Sequence, residues 1–307
     1  MTAPESGVSC STLSGERRLS RTQGQPALVR IRVGCEFNFD AAAIPVPAVV
    51  LLRAAQDGGV TVERETWHAQ PNASFSDFLD MYGNRARRVV IGAGKANLRY
   101  DAEVTASAAL DEVSPEAVQH RVEDLPGEIV IYMLASRYCL SDMLSDAAVR
   151  LFGMTPLGWE RVQAVCDWVH DNVRFDYGAS NPYTTSLDVF EARLGVCRDF
   201  AHLAISFCRA LNIPARYVFG YLPDIGVTPL PDPMDFCAWM EVYLGGRWWT
   251  FDPRNNARRI GRVVIARGRD AMDVAMVTSY GTLLLEQMTV WADEILPVRA
   301  TTDDRLR

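Results

Sequence analysis

The sequence predicts an α+β protein, with an N-terminal antiparallel β-sandwich followed by a domain of helices and an antiparallel hairpin. Three observations predict it. Short strand-like runs separated by turn residues recur between residues 28 and 104. A helical pattern then takes over and culminates in a run that is apolar almost all round, Phe200 to Leu211. Finally, two alternating runs flank Gly245-Gly246, a strong two-residue turn signal.

The chain has 307 residues, enough for one large domain or two ordinary ones. Apolar residues make up 49% and charged residues 22%, the usage of an ordinary globular protein. A net charge of −7 without a basic arm argues against a general nucleic-acid binder. The seven cysteines, Cys10, Cys35, Cys139, Cys166, Cys197, Cys208 and Cys237, are odd in number and scattered, with no C-x-x-C pair. Zinc ribbons and redox motifs are therefore unsupported, and a reducing cytoplasm is the expected compartment. The first 25 residues are polar and carry no signal-peptide core, and no apolar run is long enough to span a membrane. There is no G-x-G-x-x-G, no P-loop and no paired histidine ligands, so neither cofactor nor metal is expected.

Residues 1–26 mix Ser, Thr, Gly, Pro and Arg without periodicity and read as a disordered tail. Residues 27–114 form the expected sandwich, with strands at Leu28–Phe39, Val49–Arg53, Val60–Thr66, Arg87–Ile91 and Ala96–Val104. Residues 115–154 are a bridging segment with a short helix from Ser141 to Phe152. Thr155 is the N-cap candidate of the next helix, with Pro156 at its first position. Trp159, Val162, Val165, Cys166, Val169 and Val173 share one face of that helix, with His170 beside it. A short helical pattern from Leu187 to Leu194 is broken by Gly195.

Cys197 then falls at the N-terminus of the apolar helix. Unpaired N–H groups and partial positive charge at such an end favour a thiolate and can receive an oxyanion. A buried structural cysteine is the alternative. The only polar stripe of this helix is Arg198, His202, Ser206 and Arg209. His202 lies five residues after Cys197, about 140° around the helix, which suits an indirect or surface role better than that of a base.

A strand from Ala215 to Tyr221 leads into a proline-rich loop, Pro223 to Pro233, a candidate cleft rim. In the hairpin, Leu244 pairs with Arg247 and Trp239 lies opposite Asp252. Phe236, Ala238, Met240, Val242, Trp249 and Phe251 then share one face, and Cys237, Trp239, Glu241, Tyr243, Trp248, Thr250 and Asp252 the other. Cys237 and Asp252 become diagonal neighbours, roughly 7–8 Å apart, although Asp252-Pro253 also reads as a turn that ends a strand. Arg258–Arg269 is basic with a strand-like centre, its charges solvated or paired. A last strand near Thr282–Val290 is assigned to the second domain, 155–298, and 299–307 to a tail.

Four ordered segments resemble the core of the bacterial transglutaminase-like superfamily: Leu194 to His202, Ile213-Pro214-Ala215-Arg216-Tyr217-Val218, Ala238-Trp239-Met240-Glu241-Val242-Tyr243, and Trp249-Thr250-Phe251-Asp252-Pro253. The likeness covers roughly residues 155–290. Asp80-Met81-Tyr82-Gly83-Asn84 resembles the β-domain that often precedes that core. The resemblance implies a papain-like α+β core, a cysteine-bearing helix on an antiparallel sheet. It implies a Cys–His–Asp triad acting on peptide or protein amides, with Cys197 as nucleophile and Asp252 as the residue that orients the base. The family's histidine precedes the Ala-Trp pair, and Cys237 stands there instead. His68 and His120 lie outside the motifs. Losing the histidine of a comparable triad costs on the order of 10⁶ in turnover. Two functions follow: a hydrolase or acyltransferase working through a Cys197 thioester with a degenerate triad, or a weakened member that binds peptide or protein in the cleft. A disulfide between Cys197 and Cys237 is a third possibility.

Overall fold

The computed structural model describes residues 27–41, 43–229 and 232–296. The tails expected at 1–26 and 299–307 lie outside the described residues. The chain opens with six strands: β1 (Leu28–Asp40), β2 (Val46–Val50), β3 (Thr61–Gln70), β4 (Phe75–Leu79), β5 (Arg85–Ile91) and β6 (Lys95–Ser107). β1 and β6 pair antiparallel along their whole length, Leu28 with Ser107 to Asp40 with Lys95. Alternation drives this: Ile31, Val33, Cys35 and Phe37 point inward from β1, and Leu98, Tyr100, Ala102 and Val104 from β6. β4 is absent from the sequence reading because its five residues are half exposed and scarcely alternate in burial. β2 stops at Val50, earlier than Arg53, because the chain leaves the ladder there. Arg53 turns inward to pair with Glu65 and Asp77 at 2.9 and 2.7 Å.

The bridging segment holds α1 (Ser145–Phe152), followed by α2 (Trp159–Asn172). Thr155 is not the cap of α2. Its hydroxyl donates to Phe152 O at 2.7 Å and so closes α1, while Gly158 takes the cap position at φ 90°. A Cβ there would lie 2.5 Å from Ala117 O, so the position needs glycine. The expected apolar face of α2 is buried from Trp159 to Val169.

A two-residue bridge, β7 (Arg174–Phe175), precedes α3 (Ser186–Ala192) and pairs in parallel with β8 (Leu194–Gly195). α3 starts with Thr185 and Asp188 bonded reciprocally and ends at Arg193, whose φ of 58° makes that residue, not Gly195, the helix stop.

Next come α4 (Cys197–Ala210), β9 (Ala215–Tyr221), β10 (Cys237–Leu244), β11 (Arg247–Phe251) and β12 (Val263–Gly268). They build an antiparallel sheet in the order β11-β10-β9-β12, with α4 packed on β10 and β9. The hairpin register is Leu244 with Arg247 and Met240 with Phe251, with Gly245 and Gly246 at φ 57° and 85°. The side-chain faces derived from the turn follow from this register. From Asp199 to Arg209 every residue of α4 is buried. Of its polar stripe, His202, Ser206 and Arg209 are therefore internal. Arg209 donates to the carbonyls of Leu134, Ala215 and Arg269 and to Ser136 Oγ, and so ties the bridging segment to the sheet.

The last two strands correct the expected domain limits. β13 (Val277–Ser279) pairs with β2, and β14 (Leu284–Glu294) pairs with β1 from Ile31–Glu294 to Asp40–Leu284. The final strand thus completes the N-terminal sandwich and is not part of the second sheet. The two sandwich sheets run β14-β1-β6-β3 and β13-β2-β5-β4. Among the described residues, no helix is long and apolar enough to cross a membrane.

Candidate active site

Cys197 is the first residue of α4. Val196 precedes it in extended conformation, and its N–H donates to Asp199 Oδ2 at 3.0 Å. The N–H groups of Asp199 and Phe200 both return to Val196 O. Asp199 is fully buried and paired with Arg198 at 3.1 Å. It occupies the space a side chain at 195 would need: a Cβ on Gly195 would lie 2.7 Å from Asp199 Cβ. The glycine therefore admits the carboxylate that fixes the start of the helix. Cys197 remains partly exposed there, with Sγ 3.9 Å from Phe236 O.

Cys237 opens β10 and pairs across to Gly220 of β9. Gly220 cannot carry a side chain, since a Cβ would meet Val263 O at 2.4 Å and the Trp239 ring at 2.7 Å. The two thiols interact, with Cys237 donating to Cys197. That hydrogen bond lowers the Cys197 pKa against the opposing effect of burial, and the Ala238 backbone and the charge of Arg254 act in the same direction. The same contact, with burial, pushes the Cys237 thiol well above its ordinary range. Of the two, Cys197 is the thiol whose ionisation is favoured, and its place at the positive end of α4 acts in the same sense.

Asp252 follows β11 and is buried. Its carboxylate accepts from Asn255 N at 2.9 Å, Asn255 Nδ2 at 2.8 Å and Arg262 Nη2 at 2.9 Å. Arg262 also reaches Asp111 at 2.9 Å and lies over the Trp239 ring, 5.0 Å from its centroid. Asp252 and Arg262 act on the Cys237 thiol with opposite electrostatic sign, but neither hydrogen-bonds it. Arg262 was not singled out in the sequence, where it lies in a basic stretch whose charges read as solvated or paired; it is paired. Its burial follows only from the position of β12 against Trp239.

Among the described residues, no histidine lines the space around Cys197. His170 Nδ1 bonds Arg254 O at 2.9 Å, and His120 Nε2 accepts from Gly246 N at 2.8 Å. His68 is in β3 of the sandwich. His202 is not at the surface: it is fully buried, stacked on Tyr138, and accepts from Ala271 N at 3.1 Å. Burial and the nearby Arg198 and Arg209 keep it neutral, well below the ordinary imidazole range.

Two clefts meet at the thiol pair. One, of 450 Å³, is bounded by the proline-rich loop with Asp224, Asp232 and Pro233, and by Arg254 and Arg259. The other, of 590 Å³, runs past Tyr138, Arg198, Tyr217 and the segment Ala271–Val277 to Met288. Val196, Cys197, Asp235, Phe236 and Cys237 belong to both. Of the loop expected as a rim, Asp224, Val227, Thr228, Asp232 and Pro233 line the first cleft, and the second cleft takes its far wall from β13 and β14. Among the described residues, no group of three or more His, Cys, Asp or Glu is placed to hold a metal ion.

This geometry can be set beside known proteins. Residues 147–253 match the family described as the transglutaminase-like superfamily. A solved structure of a candidate cysteine protease from Cytophaga hutchinsonii superposes with a TM-score of 0.79 at 30% identity, over 88% of this chain and 92% of that one. The chain belongs to the transglutaminase-like superfamily. An uncharacterized protein of Mycobacterium leprae is 34% identical over 118 residues, 37% of this chain and 42% of that protein. YebA of Bacillus subtilis is 23% identical over 251 residues, 73% of this chain and 30% of its own length. The chain thus spans less than half of these curated relatives. Membership in the superfamily carries the fold, and points to function of the cysteine-protease or transglutaminase type.

Proposed function

We propose that the protein takes the acyl group of a peptide or protein amide onto Cys197 as a thioester and releases it to water or an amine. The observation that carries this reading is the Cys197 thiol at the start of α4, held in thiolate-favouring surroundings where two clefts join. The thiolate attacks the carbonyl carbon, and the Cys197 and Arg198 N–H groups at the start of α4 receive the developing oxyanion, those of Asp199 and Phe200 being bonded to Val196 O. The departing amine needs a proton, and the Cys237 S–H is the nearest donor. With its pKa raised, Cys237 is a weak acid. Turnover is therefore slower than that of a thiol–imidazole pair. A reducing compartment such as the cytoplasm, to which the odd and scattered cysteines point, keeps both thiols free for this chemistry.

A second reading is a peptide- or protein-binding member without turnover. It is favoured by the commitment of the Asp252 carboxylate to Arg262 and Asn255, which leaves no base for it to orient.

The test is iodoacetamide alkylation of Cys197 followed against pH by mass spectrometry, combined with trapping of an acyl adduct from an activated glutamine-peptide ester. The expected result is an alkylation midpoint below the ordinary thiol value of 9.0, an acyl mass on Cys197, and an upward move of that midpoint in Cys237→Ala. An ordinary midpoint with no acyl adduct in the native chain, and recovery of both in Cys237→His, would establish the binding reading instead.

A further inference from the structure

Of the described cysteines, four are sealed in the core: Cys35, Cys139, Cys166 and Cys208. Burial pushes the thiols of Cys35, Cys139 and Cys208 up to about 12 and that of Cys166 higher than its ordinary range. Cys197 and Cys237 differ from these in two ways. Both are partly exposed, and both line the two clefts, so a small solute reaching either cleft meets both sulfurs. The position where the family carries an imidazole thus presents a second thiol beside the first. Each sits at the start of its element, Cys197 on α4 and Cys237 on β10, and the described residues ahead of Cys237, 222–229 and 232–236, lie outside any sheet. Cys197 Sγ already lies 3.9 Å from the carbonyl of Phe236, the residue bonded to Cys237.

We propose that Cys197 and Cys237 form a reversible peroxide-sensitive pair, in which a hydroperoxide oxidises Cys197 and Cys237 resolves it as an intramolecular disulfide. The Cys197 thiolate attacks the peroxide O–O bond. It becomes a sulfenic acid, and the other oxygen leaves as water once protonated. The Cys237 sulfur then attacks the Cys197 sulfur, displacing the hydroxyl as a second water and closing the S–S bond. The two thiols lose two electrons, which the peroxide gains. A dithiol reductant returns them by exchange. Low-pKa, accessible thiols with a resolving neighbour are the ones that take this route rather than progressing to sulfinic acid. The consequence for activity, closure of the acyl-accepting thiol, rests on the function proposed above; the chemistry of the pair does not.

The full-length protein is treated with stoichiometric hydrogen peroxide, quenched, and digested with trypsin without reduction. The expected product has lost two hydrogens and joins the peptide Leu194–Arg198 to the peptide Tyr217–Arg247. Dithiothreitol separates them. Cys237→Ser stops at the sulfenic acid of Cys197 under the same dose, and a second equivalent of peroxide carries it to sulfinic acid. Sulfinic acid on Cys197 of the native chain with Cys237 untouched overturns the proposal, as does recovery of both as free thiols when peroxide has been consumed elsewhere. A chain that forms the disulfide but never carries an acyl adduct keeps this proposal and removes the one before it.

Discussion

Arg262 Nη2 lies 2.9 Å from Asp252 Oδ2, so the acid that the family motif marks for orienting a base is bonded to an arginine. The arginine side chain is itself only 7% exposed and bridges to Asp111. Asp111, Arg262 and Asp252 thus form a row of three charges, with the arginine over the Trp239 ring. Where a histidine would accept the carboxylate's orientation, this chain has a thiol that offers it nothing to orient, and the carboxylate is satisfied elsewhere.

Replacing Arg262 leaves Asp252 buried, and Asp111 half-buried, without their cation. Arg262→Met is expected to cost about 3–5 kcal/mol, read as a lower urea midpoint with an unchanged slope. Adding Asp111→Asn and Asp252→Asn should recover much of the loss. A single Arg262→Met that leaves the midpoint in place would show that the trio is solvated and weakly coupled.

His202 makes stability depend on pH. Its folded-state pKa is depressed well below the unfolded value of 6.5, by burial first and by two arginines second. The unfolded chain therefore binds a proton that the folded chain refuses. Its contribution is complete above 6.5 and is lost as pH falls toward the folded-state value, at up to about 1.4 kcal/mol per pH unit. The stability difference between the native chain and His202→Gln should be flat above neutrality and shrink on acidification. Guanidinium unfolding at a series of pH values measures it, and a difference independent of pH would place a charged imidazole in the fold.

β14 ties the C-terminal end of the chain to the N-terminal sandwich. Trp291 of β14 lies against Gly34, where an added Cβ would sit 2.5 Å from its ring. Ending the chain at residue 276 exposes the long edge of β1 and removes Val290 and Ala292 from the core. The truncated protein should aggregate or elute as higher oligomers in size-exclusion chromatography. A monomer with native melting behaviour would mean that β14 is dispensable to the sandwich.

Much of this was legible in the sequence. The alternation in β1 and β6, the Gly245-Gly246 turn, and the apolar run of α4 are local patterns that record which face is buried. Four ordered motifs named the family, and with it the pairing of Cys197 with position 237. Other features were not local. The apparent cap at Thr155 failed because its hydroxyl was bound to the preceding helix, a competition invisible to spacing. His202 looked like part of a surface stripe because periodicity identifies a polar face without saying what covers it; here β9 and the loop to Ala271 do.

The sequence by itself determined most of the longer elements, the hairpin register and the identity of the two thiols, because each depends on residues near one another in the chain or on a motif. Only the tertiary structure decided where the last strand pairs, which cation takes the Asp252 carboxylate, and that both thiols open onto the same two clefts. Those outcomes depend on residues brought together from distant parts of the chain, such as Ile31 with Glu294 and Asp111 with Arg262. Burial then sets their charge and reactivity, and burial is a property of the assembled core.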